Sequence, residues 1–341
     1  MKKFLLCVLS AVLCMTLVFS SVACSGKGWT QTAGEVSAVD QAGRTVTLEN
    51  PAQRIVSFGY NQTYAVIALG LADRLVGIEA KAAQRPIYSL AAPELIDLPN
   101  VGSQKQPNIE AAIALEPDLV LMAKSLQGNV AAFEAVGIPV AICYPESQDL
   151  LEEELQMIAD LCGVPGNAKE LIKYYDDTYA KIEKITSKFS DADKPVVYMG
   201  AVSSYLSTAP KNMYQADLIA KAGAINAANG IDGDKWTDVS YEQLLNMNPD
   251  IIILPSEASY SIDDILNDKQ LASVKAVKNK AIYKMPYFEA LDSPVPSGVL
   301  GTLYVLTKAH GDKYSLDTFK KDLTDFYKKF YGFEADTSKI N

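Results

Sequence analysis

The sequence predicts an α/β protein of two similar lobes, each a mostly parallel sheet flanked by helices, joined by one long rigid helix. Three observations predict it. From Asn167 to Phe189 the apolar residues Ala168, Leu171, Ile172, Tyr175, Tyr179, Ile182, Ile185 and Phe189 recur every three or four positions, which is one face of a helix. Asn167 is read as its cap, with Glu170 reaching back to the cap's N–H. At 1.5 Å per residue it runs about 35 Å, the width of a small domain. On either side, Asn108 to Met122 and Ser240 to Leu254 match without a gap: a cap, Glu in third place, an apolar helix face, Pro-Asp and an apolar strand. Strands and helices alternate with short loops through both halves, which implies parallel sheets covered on both faces.

Residues 1–23 read as an export signal. Lys2 and Lys3 lead an almost wholly apolar run from Phe4 to Phe19, and small residues follow. The run approaches the lower length limit for spanning a bilayer, so a retained anchor is the alternative. Ser21, Val22 and Ala23 before Cys24 resemble a bacterial lipobox with Ser in place of the usual Leu. Cys24 is then the lipidated residue, and residues 24–35 are a polar tether. The N-terminal lobe is assigned to residues 36–163, the connecting helix to 164–190 and the C-terminal lobe to 191–341.

Val36 to Leu48 alternates apolar and polar around Asp40 to Gly43, a hairpin signal. Arg54 to Phe58 is a buried strand, Thr63 to Leu69 a helix stopped by Gly70, and Arg74 to Ile78 the next strand. The polar loop Gly102 to Pro107 feeds the first repeat copy, a helix over Ile109 to Leu115 and a strand over Leu119 to Met122. Val130 to Val136 is helical up to Gly137, Pro139 to Cys143 a strand, and Leu150 to Leu161 a helix leading through Gly163 and Pro165 into the connector. The second lobe opens with the strand Pro195 to Met199. A loop to Asn212 and a helix over Tyr214 to Ala222, stopped by Gly223, precede the second copy. Ile262 to Leu271 is read as helix and Ala281 to Met285 as strand. Pro294, Pro296 and Gly298 break the chain before terminal helices over Val299 to His310 and Leu316 to Tyr331.

The 341 residues suit two domains, and 49% hydrophobic content is enough for two cores. The formal charge is −10, or −12 without Lys2 and Lys3, which makes nucleic acid a poor partner. Cys143 and Cys162 fall at opposite ends of a strand–helix unit and are read as two buried thiols, not a disulfide. No metal-ligand spacing is present. The only histidine, His310, closes a terminal helix, so neither direct capture of a bare metal nor Ser-His-Asp chemistry has its ligands. No Gly-rich phosphate loop follows a strand. The acid pairs Asp176-Asp177 and Asp263-Asp264 lie on helix surfaces, while Glu289 and Asp292 lie on one side only. An extracytoplasmic enzyme is the alternative class, and turnover of a bound ligand would mark it.

In open α/β sheets ligands bind outside the carboxyl ends of strands. Those ends carry Tyr60 and Asn61, Ala123 and Lys124, Tyr144, Ser203 to Tyr205, Ser256, and Tyr287 to Glu289. The set is aromatic and hydroxyl-rich, which suits a large, flat or greasy ligand oriented by a few polar groups. The same tyrosines could equally be amphipathic core residues.

The chain resembles the single-helix-hinged substrate-binding proteins of ABC importers, the family that delivers ferric siderophores, haem and cobalamin. The resemblance is carried by the opening hairpin with Arg54 to Ser57, by Leu69 to Asp73 with Val76-Gly77, by both Glu…Pro-Asp repeats and by Asp292 to Pro294. It implies a lipid-anchored, extracytoplasmic monomer with no catalytic residues and no resident cofactor, its ligand a chelated metal. Its partners are an ABC permease dimer with its ATPase subunits and the membrane, reached through lipid on Cys24. In that family a surface Glu on each lobe docks into permease arginines, and the motif positions are Glu110 and Glu242. Each stands in a first helical turn, where the dipole favours an anion. The cobalamin binders place aromatics at positions matching Tyr60, Gln104, Ala123, Tyr205, Trp236 and Phe288, of which Gln104 and Ala123 depart from the pattern. The ligand-binding set is then Tyr60, Gln104, Lys124, Tyr144, Tyr205, Trp236, Tyr287 and Phe288. Arginine occurs only at positions 44, 54, 74 and 85, none of them on an expected cleft loop. A ferric siderophore is the expected ligand, ahead of a cobamide or haem, with tungstate or molybdate further off.

Overall fold

The structure, a computed structural model, describes residues 34–341. The export segment, Cys24 and the tether up to residue 33 lie outside the described residues. Two four-stranded parallel sheets form the centres of two lobes. In the first the order is Leu75–Gly77, Ile55–Ser57, Leu119–Ala123, Val140–Cys143, with Ile55 opposite Leu119 and Val120 opposite Val140. In the second it is Ile225–Asn226, Val196–Met199, Ile251–Leu254, Ile282–Lys284, with Val197 opposite Ile251. Leu119–Ala123, Val140–Cys143 and Ile251–Leu254 are buried on both faces, which is why they read as unbroken apolar runs without alternation. Val36–Val39 and Thr45–Leu48 pair antiparallel as the expected hairpin. The Asp40 carboxylate takes the N–H groups of Ala42 and Arg44 across the turn and that of Ile142 from the sheet, fixing hairpin to lobe.

The connecting helix spans Pro165–Thr186 and buries Ala168, Leu171, Tyr175, Thr178 and Ile182. One hydrophobic core runs along this stripe from Ile55 and Tyr64 in the first lobe to Leu218, Val299 and Phe326 in the second. Each lobe has a smaller core on its other face, around Phe58 and Phe133 in one and around Tyr198 and Leu244 in the other. The helix begins two residues earlier than expected. Pro165 at its first turn needs no N–H partner, so no capping box forms. Asn167 instead donates its side-chain amide to the Leu69 carbonyl at 2.7 Å, and Glu170 pairs with Lys329 of the terminal helix at 2.9 Å. Both residues tie elements together where a cap was expected.

The repeat is structural. Asn108 and Ser240 each cap the helix that follows, over Ile109–Ile113 and Tyr241–Met247. Glu116 and Asn248 both adopt left-handed backbone, φ 49° and 42°, just before Pro117 and Pro249. Asp118 then accepts the N–H of Arg54, and Asp250 that of Val196, each at 2.9 Å. In both lobes the Pro-Asp corner therefore anchors the start of the neighbouring strand. The expected helix over Ile262 to Leu271 breaks in two, Ile262–Leu266 and a 3-10 turn at Lys269–Leu271, because Asp268 turns back to accept the Gln270 N–H. Cys143 and Cys162 are buried and unpaired. His310 ends the helix Gly298–Ala309, with Nε2 2.9 Å from the Gly223 carbonyl and its ring stacked on Phe189. Among the described residues no helix is long and apolar enough to cross a membrane.

Candidate functional site

Strand ends of the first lobe face loops and a helix start of the second across a cavity of about 500 Å³. Tyr60, Asn61, Tyr144 and Glu146 line it from the first lobe; Tyr214, Gln215, Asp234, Lys235, Trp236 and Ser293 are among those lining it from the second. Tyr60 is held there by local chemistry. The helix Tyr60–Ala68 starts three residues earlier than expected, on the extended residue Gly59, which puts the Tyr60 ring at the mouth of the lobe. Gln104 packs against Gly59 so closely that a Cβ there would sit 3.2 Å from its amide nitrogen.

Behind Tyr60 lies a group that the strand-end argument overlooked. Arg85 holds its guanidinium 4.1 Å above the centre of the Tyr60 ring, and its Nε lies 3.2 Å from Glu79. Arg85 therefore does stand beside the cleft, contrary to the expectation from the loops. It is presented by the turn between a 3-10 segment at Ala82–Gln84 and the helix Pro86–Ala91. Glu79 is buried and also receives the hydroxyls of Tyr88 and Thr63. Four groups thus meet under one tyrosine. Burial raises the Tyr60 pKa; Arg85 opposes this, and Glu257, Asp292 and Glu146 add to it.

The other expected ligand residues divide. Tyr144 and Trp236 line the cavity with Tyr60; the two tyrosines follow strand ends, while Trp236 is a position that the resemblance supplied. Lys124 does not line it directly; its ammonium lies 4.4 Å over the Tyr144 ring, steadying that face. Tyr287 reaches across the lobes, its hydroxyl 2.8 Å from Glu257 and 3.3 Å from the Gln84 carbonyl. Tyr205 turns into the second lobe, donating to Asp268 at 2.9 Å and packing edge-on against Tyr260. Phe288 is 8% exposed and packs in the core against Tyr327 and Phe333, so it presents no face to the cleft. The core claims it because terminal-helix aromatics cover that strand end.

Three buried acids complete the region. The Glu289 carboxyl accepts from Tyr331 at 2.6 Å and burial pushes it up to about 7. Burial likewise pushes Asp292 to about 6. Glu154, fully buried in the first lobe beside Gln62 and Cys143, is pushed to about 8 by burial. Among the described residues no group of three or more His, Cys, Asp or Glu side chains could hold a bare metal ion. Glu110 and Glu242 are exposed in the first turns of their helices, at the same place in the two repeats.

A family model described as periplasmic binding protein matches residues 55–287. The molybdate-binding protein MolA of Haemophilus influenzae is 27% identical over 321 residues, spanning 86% of this chain and 90% of its own. The high-affinity heme uptake protein IsdE of Staphylococcus aureus is 27% identical over 196 residues, 55% of this chain and 66% of its own. Among solved structures, a periplasmic solute-binding protein of Veillonella parvula superposes with a TM-score of 0.80 at 25% identity, covering 90% of this chain and 96% of that one. A Ni-His complex of CeuE from Helicobacter pylori superposes with a TM-score of 0.74 at 22% identity, covering 89% and 97%.

Proposed function

We propose, since this chain belongs to the periplasmic binding protein family of solute-binding proteins that serve ABC importers, that it captures a metal chelate, a ferric siderophore foremost, and delivers it to a membrane permease. The observation that carries the reading is the interlobe cavity faced by Tyr60 and Tyr144 from one lobe and Trp236 from the other. Aromatic faces with a few polar groups suit a bulky chelate, and among the described residues no group of three or more His, Cys, Asp or Glu side chains could hold a free cation. Haem, a cobamide and molybdate are the competing ligands, the first and last favoured by what the relatives IsdE and MolA are named for. Glu110 and Glu242 are the docking carboxylates for the permease, and Cys24 holds the lipid that keeps the protein at the outer face of the cell membrane.

Trp236 is the only tryptophan among the described residues, so its fluorescence reports the cavity. Titration with ferric siderophores, haem, a cobamide, molybdate, free Zn²⁺ and a sugar gives saturable quenching by a chelate. Binding of Zn²⁺ or a sugar with no chelate binding overturns the reading. Glu110→Ala with Glu242→Ala leaves that titration unchanged and strongly impairs uptake, since removing a charge from a desolvated contact costs about 2–5 kcal/mol.

A further inference from the structure

The charges around the cavity are unevenly matched. Arg85 is committed to Glu79 and to the ring of Tyr60, and its Nη1 donates to the Tyr64 hydroxyl at 3.4 Å. Lys124 is spent on the face of Tyr144. Of the residues that line the cavity, Lys235 is the one cation, against Glu146 on the first lobe and Asp234 on the second. Beneath that wall lies Asp292, 5% exposed and next in the chain to Ser293 and Pro294, which line the cavity. Among the described residues, the charge that acts on its carboxylate is that of Glu257, another acid. Its field reaches the hydroxyls of Tyr60, Tyr214 and Tyr260, so it sits among phenols of both lobes.

Two further acceptors are left over at the same wall. The Tyr214 hydroxyl oxygen and the Gln215 Oε1 are buried and take no hydrogen bond. Gln215 is oriented by its amide, which donates to the Asp292 carbonyl at 2.7 Å. A buried carboxylate with no cation is costly, and so is each buried oxygen without a donor. All three costs are relieved by one kind of occupant, a group with several N–H donors and a positive charge.

We propose that the cleft selects its ligand by charge: Asp292, Gln215 and Tyr214 receive an ammonium-type group of the chelate, while Glu146 and Asp234 at the two lips favour a cationic complex over an anionic one. The inference rests on the chelate reading above and narrows it to chelates bearing a pendant ammonium or net positive charge. Triply anionic tris-catecholate chelates and tetrahedral oxyanions are selected against.

The test is the Trp236 titration with four probes: ferrioxamine B, which carries a pendant ammonium, ferrichrome, a neutral chelate of the same hydroxamate type, ferric enterobactin, which is triply anionic, and molybdate. Ferrioxamine B binds about ten-fold more tightly than ferrichrome, and the two anions bind weakest. Asp292→Asn removes that preference, weakening ferrioxamine B about ten-fold and ferrichrome by a much smaller factor. Glu146→Gln with Asp234→Asn, both exposed and tolerant of change, weakens ferrioxamine B by a smaller factor that shrinks with added salt. Tightest binding by ferric enterobactin, or an unchanged preference in both variants, overturns the charge inference and leaves the chelate reading standing; tightest binding by molybdate overturns both. Binding of none of the three chelates, nor of haem or a cobamide, overturns both.

Discussion

Trp236 and Phe288 are two aromatics at strand ends with opposite duties, and the difference lies in what stands behind each ring. Trp236 faces an open cavity, whereas Phe288 is packed against Tyr327 at 5.0 Å between ring centres. Phe288→Ala should cost about 3–5 kcal/mol of stability, as truncations of buried aromatics do, and leave ligand affinity of the folded protein intact. Trp236→Ala should do the reverse, with stability nearly unchanged and affinity lost; urea denaturation alongside calorimetric titration separates them. The acid within the first lobe gives a second contrast. Burial lifts Glu154 from 4.5 to about 8, so the folded chain holds its proton more tightly than the unfolded chain does. Its contribution is therefore least unfavourable below about pH 4.5, worsens as pH rises through 8, and is fully unfavourable above that. Glu154→Gln should raise the melting temperature by several degrees at pH 9, with the gain vanishing near pH 4.5; an equal shift at both pH values rules the account out. Tyr60 and Tyr144 were legible in the sequence because alternation of strand and helix locates strand ends, whereas Trp236 was reached only through the family resemblance. Tyr205, Phe288 and Arg85 were not, since that pattern says nothing of which distant residue covers a given end. Arg85 in particular lies in the stretch between Ile78 and Gly102, where no long apolar period marks an element, although Arg85-Pro86 does carry the helix-start signal of proline.

At the scale of elements, the two repeats show how a short motif does the same work twice. The turn residue in left-handed backbone and the following proline aim Asp118 and Asp250 at N–H groups where the adjacent strand begins, Arg54 just before one strand and Val196 at the head of the other. Asp118 accepts from both Gln53 and Arg54, so a neutral residue there leaves two strand-leading donors to water. Asp118→Ala should destabilise by about 1.5–3 kcal/mol, the usual worth of hydrogen bonds to a charged group, and Asp250→Ala by a similar amount. Matching losses in thermal unfolding check the equivalence; a large loss in one lobe and none in the other contradicts it. The existence of the repeat was readable from spacing alone. The reach of its aspartates into another strand was not, because a hydrogen bond across 54 or 64 residues leaves no local trace. The connector failed in the same way at its first turn, where Asn167 and Glu170 obey a local capping pattern and yet serve contacts to Leu69 and Lys329.

For the whole molecule the connector decides the mechanics. Its 22 residues form an unbroken helix, and Tyr175 at its middle is buried and bonded to the Pro296 carbonyl at 2.8 Å. A core that passes through the connector from lobe to lobe, with Tyr287 reaching from Glu257 to Gln84, leaves little freedom to open. Small-angle scattering profiles of free and ligand-saturated protein should nearly coincide, and a marked compaction on binding contradicts the stiffness argued here.

That stiffness has a consequence for traffic at the membrane. Two carboxylates fixed to lobes that hardly move keep the same separation whether the cavity is filled or empty, much as the jaws of a locked calliper do. Under the docking role proposed for Glu110 and Glu242, the permease then receives no message about cargo from the spacing of its handholds. Loaded and vacant molecules compete for the same berth on nearly equal terms, so uptake should rise with added protein only until vacant copies crowd the queue. In reconstituted vesicles at fixed ligand, adding unloaded protein beyond the ligand concentration should slow transport, and Glu110→Ala with Glu242→Ala in the added vacant protein should abolish that slowing.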